Sequence, residues 1–239
     1  MSNTLVICSG GLDSVTLAYL AASQGSLSGI ISFNYGQRHK RELEYAGLCA
    51  RALNVRHDIL DISQVGAALT GSALTDTMAV PDGHYAEESM KITVVPNRNA
   101  IMLSIAYGIA SARKSTAVAA AFHGGDHFIY PDCRPGFTSA FEIMQNHALE
   151  GLSTIRLSTP FIHMTKSAIV AEGAKINVPF ENTWSCYKGG AVHCGRCGTC
   201  VERREAFHLA QISDPTEYSD ADYWLHAVAH KNPHQQKGV

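Results

Sequence analysis

The sequence has no strong charge of either sign: 19 Lys and Arg stand against 21 Asp and Glu, for a formal net charge of −2. Without a basic field it lacks the electrostatics that hold a phosphate backbone, so a tRNA or DNA partner is not expected. Long hydrophobic runs are missing too. The longest, residues 100–112, is broken by Ser104, Tyr107 and Gly108 and is too short to cross a bilayer, so no membrane association is expected. No basic stretch precedes the first apolar residues, as a signal peptide would require, and there is no internal repeat or low-complexity tract. Aromatic residues are few, at 8%, yet a 46% apolar share over 239 residues suffices for the core of one domain spanning 1–239. Seven cysteines is an odd number, with four crowded between Cys186 and Cys200, which points to metal in a reducing cytoplasm rather than to disulfides. Small-molecule substrates are the default.

Nor is there a Walker loop, which needs four residues between its glycines and a Lys-Ser or Lys-Thr pair. Near the N-terminus Leu5, Val6 and Ile7 form an apolar run of the kind that makes a strand covered on both faces, followed by Cys8 and Ser9-Gly10-Gly11-Leu12-Asp13-Ser14. Gly10 and Gly11 permit backbone angles closed to other residues and let a phosphate come close. Ser9 and Ser14 add hydroxyls, and a helix from about Asp13 turns its positive end toward the same loop. A polyphosphate would fit there.

Further strands are expected at residues 27–33, 55–62, 91–95, 117–122 and 154–157, alternating with helices near 38–53, after 97, at 135–150 and from 165. That alternation predicts an α/β fold, a Rossmann-like doubly wound parallel sheet with ligands at the carboxyl ends of its strands. Residues 63–88 lack periodicity and read as a surface insertion, and residues 230–239 as a frayed tail. Arg38, Lys40 and Arg41 put positive charge at a helix start, where it opposes the macrodipole by about 0.3–1 kcal/mol per residue unless an anion offsets it, and Arg38 and His39 stand at the carboxyl end of the preceding strand. Arg98 lies at a strand-to-helix turn, where a guanidinium can grip phosphate or carboxylate, with Asn97 or Asn99 as the cap. The polar and aromatic stretch from His123 to Arg134 reads as a ligand loop, in which Asp132 and Arg134 either pair with each other or contact substrate or Mg²⁺. Lys166, a cation in the first turn of a helix capped by Thr165, is a candidate phosphate contact.

Cys186, Cys194, Cys197 and Cys200 have the spacing C-x7-C-x2-C-x2-C, with Gly195 and Gly198 in the turns. Four thiolates make a soft tetrahedral site for which Zn²⁺ is the first choice and an iron–sulfur cluster the second. With all positions filled by protein, its role is structural, pinning a zinc-binding segment at about 184–205, and Lys188, Arg196, Arg203 and Arg204 are expected to soften its negative charge. Cys8, Cys49 and Cys133 read as isolated packing residues.

Ser9-Gly10-Gly11-Leu12-Asp13-Ser14 resembles the SGGxDS loop of the N-type ATP pyrophosphatases, which split ATP between its α and β phosphates. With Tyr35-Gly36-Gln37-Arg38-His39, Val95-Pro96-Asn97-Arg98-Asn99, Tyr130-Pro131-Asp132-Cys133-Arg134, Thr183-Trp184-Ser185-Cys186-Tyr187 and the cysteine cluster in that order, nearly the whole chain is similar to the 7-cyano-7-deazaguanine synthases. The resemblance implies an adenine nucleotide alpha hydrolase-like fold and an ATP-dependent ligase acting on 7-carboxy-7-deazaguanine and ammonia. It implies that Cys8, Ser9, Gly10, Gly11, Leu12, Asp13, Ser14, Arg38 and His39 bind ATP, with Mg²⁺ aided by Asp13 or Asp132. Asp13, Ser14, Arg98, Asp132 and Lys166 would carry the chemistry, and Arg98, Asn99, Asp126, Tyr130, Asp132, Arg134 and Trp184 would meet the base or its carboxylate. A cytoplasmic homodimer is implied as well. A related loop enzyme that adenylates another acceptor, for tRNA, DNA or protein modification, is the alternative.

Overall fold

The computed structural model describes residues 3–76, 78–85 and 88–229, so the expected tail at 230–239 lies outside the described residues. Five strands, β1 (Thr4–Ile7), β2 (Leu27–Asn34), β3 (His57–Asp61), β4 (Ala117–Ala119) and β5 (Arg156–Ser158), form one parallel sheet in the order β3-β2-β1-β4-β5. The helices are α1 (Leu12–Ser23), α2 (Arg41–Ala52), α3 (Ser63–Ala68), α4 (Arg98–Ala112), α5 (Pro135–Ala148), α6 (Lys166–Lys175), α7 (Gly198–Ala210) and α8 (Tyr223–Ala229).

The strands' period of two distributes their side chains between two cores. Leu5, Ile31 and Phe33 face α4 and α5 through Met102, Leu103 and Phe141. Val6, Cys8 and Ile30 face α1, α2, α6 and α7 through Val15, Ala46, Ile169 and Phe207. The chain leaves β1 toward β3 on one side and returns at β4 on the other, so the strand order reverses between β1 and β4. In doubly wound sheets a crevice opens at that reversal, at the carboxyl ends of the strands.

The expected strand at 91–95 is instead a short 3₁₀ helix, Glu88–Thr93. Met90 and Thr93 are fully buried while Lys91 and Ile92 are exposed, a spacing of three that suits 3₁₀ geometry and no pleat. The Thr93 hydroxyl donates to the Met90 carbonyl at 2.7 Å and meets the Tyr130 hydroxyl at 2.8 Å, so the turn holds itself and the ligand loop together. Residues 63–88 are likewise no mere surface insertion. They begin with α3, and Ser72, Ala73, Leu74, Val80, His84 and Tyr85 are buried, with Ala73 and Val80 against Trp184 and the cysteine segment. Strands β3, β4 and β5 differ from expectation only in their ends, and Ala120, Ala121 and Phe122 beyond β4 continue as cleft wall.

Candidate functional site

The cleft at the reversal is lined at its floor by Cys8, Ser9, Gly11, Leu12, Asp13 and Ser14. The loop's geometry comes from Gly10, whose φ of +90° is closed to other residues and whose missing Cβ would lie 2.0 Å from the Glu42 carbonyl oxygen. Gly10→Ala is expected to cost at least about 2 kcal/mol from the positive φ alone, and the clash adds to it. A thermal melt with and without ATP checks this; an unshifted melting temperature would contradict it. Ser14 Oγ is the hub of the turn, donating to the Gly11 carbonyl at 3.1 Å, accepting from Ser9 N at 3.2 Å and meeting Ser9 Oγ at 3.2 Å. Gly11 starts α1 without any side-chain cap, so the first-turn amides of the helix present themselves to the cleft.

One wall carries charge. Lys166 Nζ lies 3.1 Å from Asp13 Oδ2 and donates to Glu202 Oε2 at 2.7 Å. Asp126 Oδ1 accepts from the Tyr85 hydroxyl at 3.1 Å and lies 3.5 Å from His123 Nε2. Burial opposes the charge on Asp13, yet Lys166 and His123 hold its carboxyl below the ordinary carboxylate range. Burial also pulls Lys166 toward neutrality, but Asp13, Glu202 and Asp126 overcome it and raise its pKa. Lys166 therefore stays an ammonium, and what offsets its place at the N-terminal end of α6 is a pair of carboxylates. Glu202 carries no motif; its position on α7, two residues past the last cysteine, is the signal that could have revealed it.

The opposite wall is aromatic. Arg98, first residue of α4, lies over the rings of Tyr35 and Tyr130, at 5.5 and 6.0 Å from their centroids, and donates to the Tyr35 hydroxyl at 3.4 Å. Asn99, Tyr130, Trp184 and Tyr187 line the cleft beside it. Burial pushes the Tyr35 phenol up to about 12, so it remains a neutral donor and acceptor.

Five expected residues stand outside this lining: Gly10, which shapes the loop through its backbone, and Arg38, His39, Asp132 and Arg134. Arg38 donates to the Met78 carbonyl at 2.6 Å, and His39 Nε2 pairs with the Tyr187 carbonyl at 3.0 Å. Arg134 is exposed and donates to the His127 carbonyl at 2.8 Å, not to Asp132. Asp132 Oδ2 accepts from Asn99 N at 3.0 Å and so caps α4, whose Asn97 is left-handed at φ 58° and makes no side-chain cap bond. Asp132→Ala is thus expected to cost about 1 kcal/mol, as loss of a helix cap does. A melting-temperature drop of about 2–4 °C checks it, and a loss of turnover far beyond that would put the carboxylate back in the chemistry.

The four cysteine sulfurs lie within 4.8 Å of one another, with Cys194–Cys200 at 3.9 Å and Cys197–Cys200 at 3.5 Å. A tetrahedral ion with Zn–S bonds near 2.3 Å needs sulfurs about 3.8 Å apart, so the donor set fits a single Zn²⁺. The expected basic neighbours are each held by a partner other than a sulfur, although Lys188 lies close enough that, against burial, Cys194 and Cys197 help Asp82 raise its pKa. Arg203 is buried against Asp214 at 3.3 Å, Arg196 pairs with Asp82 and Asp220 at 3.1 Å each, and Lys188 pairs with Asp82. Arg204 lies over the rings of Tyr218 and Trp224. Backbone amides serve the sulfurs instead: Arg196 N and Cys197 N donate to Cys194 Sγ at 3.4 and 3.3 Å, and Cys194 N to Cys186 Sγ at 3.4 Å. The segment is tied to the cleft at Trp184, whose N donates to the Gly10 carbonyl at 2.9 Å.

A family model described as "Queuosine biosynthesis protein QueC" matches residues 3–211. The chain belongs to the QueC family. Within it, the chain is 68% identical over 226 residues to a protein of Mesorhizobium japonicum named 7-cyano-7-deazaguanine synthase 1, covering 95% of this chain and 97% of that one. It is 66% identical over 229 residues to the 7-cyano-7-deazaguanine synthase of Brucella ovis, covering 96% and 99%. Among solved structures, NMN synthetase from Francisella tularensis superposes with a TM-score of 0.50 at 14% identity, over all of this chain and 88% of that one, a likeness of fold. The QueC cleft thus sits at the switch point of a fold shared beyond the family. Among the described residues no helix is long and apolar enough to cross a membrane.

Proposed function

We propose that the chain is an ATP-dependent ligase that converts 7-carboxy-7-deazaguanine and ammonia to 7-cyano-7-deazaguanine, preQ0, in queuosine biosynthesis. What carries this assignment is the name shared by near full-length relatives, and the cleft chemistry agrees with it. A carboxylate is a poor electrophile until one oxygen becomes a leaving group. Its attack on the α phosphorus of ATP expels pyrophosphate and gives an acyl adenylate, from which ammonia displaces AMP to leave the amide. The amide oxygen then attacks a second α phosphorus, and loss of that oxygen in AMP, with two protons leaving nitrogen, gives the nitrile.

Little covalent chemistry falls to the protein, which positions reactants and stabilises phosphate charge. The residue 9–14 loop and the first amides of α1 hold the departing pyrophosphate, Lys166 supports the charge at the α phosphate, and Arg98 holds the substrate carboxylate. ATP would come with Mg²⁺ held at Asp13, whose Oδ1 is buried and without a hydrogen-bond partner, and the ion would neutralise phosphate charge there. Zn²⁺ held by Cys186, Cys194, Cys197 and Cys200 would be structural. Seven unpaired thiols support a cytoplasmic location, and the homodimer is the assembly the family resemblance implies.

The test is mass spectrometry of base and nucleotide products after incubation with Mg-ATP, ammonium and 7-carboxy-7-deazaguanine. Nitrile with AMP and pyrophosphate is expected. Amide or adenylate accumulating without nitrile would overturn the assignment in favour of an enzyme that delivers the activated acid elsewhere.

A further inference from the structure

Glu42, in the first turn of α2, lines the cleft beside Tyr35 and Arg98 and belongs to none of the motifs. Among the described residues its side chain has one hydrogen bond, from Gln37 Nε2 to Oε1 at 3.0 Å, and no ion pair. Gln37 is itself fixed in orientation: its amide nitrogen also donates to the Phe33 carbonyl at 3.3 Å, and its oxygen accepts from Tyr35 N at 2.9 Å. One oxygen of Glu42 is therefore steadied by the fold while the other has no protein donor. Arg98 is its counterpart, a guanidinium in the same cleft with no carboxylate within ion-pair distance among the described residues and only the Tyr35 hydroxyl as hydrogen-bond partner. Burial lifts the Glu42 carboxyl to about 7, against the pull of Arg98 and Gln37. A cation and an anion that share a wall without contacting each other are expensive to keep unless a ligand pairs with both. Such a ligand has a negative end and, apart from it, an edge of N–H donors.

We infer that Glu42 is the specificity-determining residue for the base, its carboxylate accepting from the ring N–H and the exocyclic amine of a 2-amino-4-oxopyrimidine edge while Arg98 takes the carboxylate of the same molecule. This rests on the proposed ligase activity. Two parallel donors match the two oxygens of one carboxylate, and a base lacking the amine leaves one buried oxygen unpaired, a mismatch that sites built for hydrogen bonding reject strongly.

The test compares 7-carboxy-7-deazaguanine with its analogue lacking the 2-amino group, as kcat/KM for AMP release, in the wild type, E42Q and E42A. The wild type is expected to prefer the amino compound by at least about 100-fold. Both variants should shrink that preference below about tenfold, with KM for ATP within about threefold of wild type, as loss of a bidentate base contact requires. A purely structural role would lower both substrates together and leave the ratio unchanged. If E42A does not fold, E42Q keeps the shape and the Gln37 contact while turning an acceptor into a donor. Wild-type discrimination retained in a folded variant overturns the inference alone, whereas a wild type that releases no AMP with the acid overturns the ligase assignment and this inference with it.

Discussion

Loss of the bound ion, by chelation or by Cys197→Ser, is expected to remove both stability and turnover, although no cysteine of the cluster faces the cleft. A structural zinc contributes roughly 10–16 kcal/mol to the folding of an isolated finger. Here much of the segment is also packed against the fold, so a loss of at least about 4 kcal/mol is expected, or a melting-temperature drop of about 8–16 °C at this chain length. Turnover should fall further than stability, because two contacts link the cysteines to the cleft. Trp184 N holds the Gly10 carbonyl at 2.9 Å, and Glu202, two residues past Cys200 on α7, holds Lys166 at 2.7 Å. Gly195 makes the cluster sensitive to its backbone as well, since its φ is +78° and a Cβ there would lie 1.8 Å from the Asp220 carbonyl. Metal content by elemental analysis, read with thermal melts and AMP release, checks this. Full turnover in metal-free protein would detach the cluster from the cleft.

Legibility in the sequence followed the range of the interaction. The loop at residues 9–14, the strands of the sheet and the cysteine spacing are local patterns, and each stands where periodicity and turn chemistry placed it. What was not legible is the distant partner that sets a residue's surroundings. Asp132 reads as a catalytic carboxylate, and nothing near it in the chain shows that α4, more than thirty positions earlier, supplies an amide to it. The candidate phosphate contact Lys166 shows no sign in the sequence of Asp13 and Glu202, which are brought to it from two other helices. Residues 91–95 have the residue types of a strand, but burial of Met90 and Thr93 with Lys91 and Ile92 exposed suits the 3₁₀ turn found at Glu88–Thr93. Glu42 gave no signal at all, since a glutamate in the first turn of an amphipathic helix is ordinarily solvated and is drawn inward here by Gln37.

Lys166→Met is the second change with a large expected effect, and its pH dependence separates charge from shape. Lys166 is 13% exposed and lies between Asp13 and Glu202, at 21% and 11%. Removing the ammonium leaves buried carboxylates without their cation, which costs about 3–5 kcal/mol when one partner of a buried ion pair is deleted. In the wild type the lowered pKa of Asp13 means stability that is present above the ordinary value of 3.8 and lost as pH falls through the lower folded value. The raised pKa of Lys166 means stability that is fully present below 10.5 and lost only as pH rises through its folded value. In the variant burial is left to dominate Asp13, its pKa rises, and ionising it becomes a cost to the folded state at neutral pH. The gap in melting temperature between variant and wild type should therefore be wide at pH 8 and narrow as pH falls toward 5. Adenylation should drop about 10²–10³-fold, the usual effect of deleting one preorganised group that stabilises transition-state charge. Exchange of labelled pyrophosphate into ATP in the presence of the acid substrate isolates that step. Wild-type exchange in a folded Lys166→Met protein would leave Lys166 a structural counter-ion, and a stability gap that ignores pH would mean that its hydrocarbon packing, not its charge, holds the wall together.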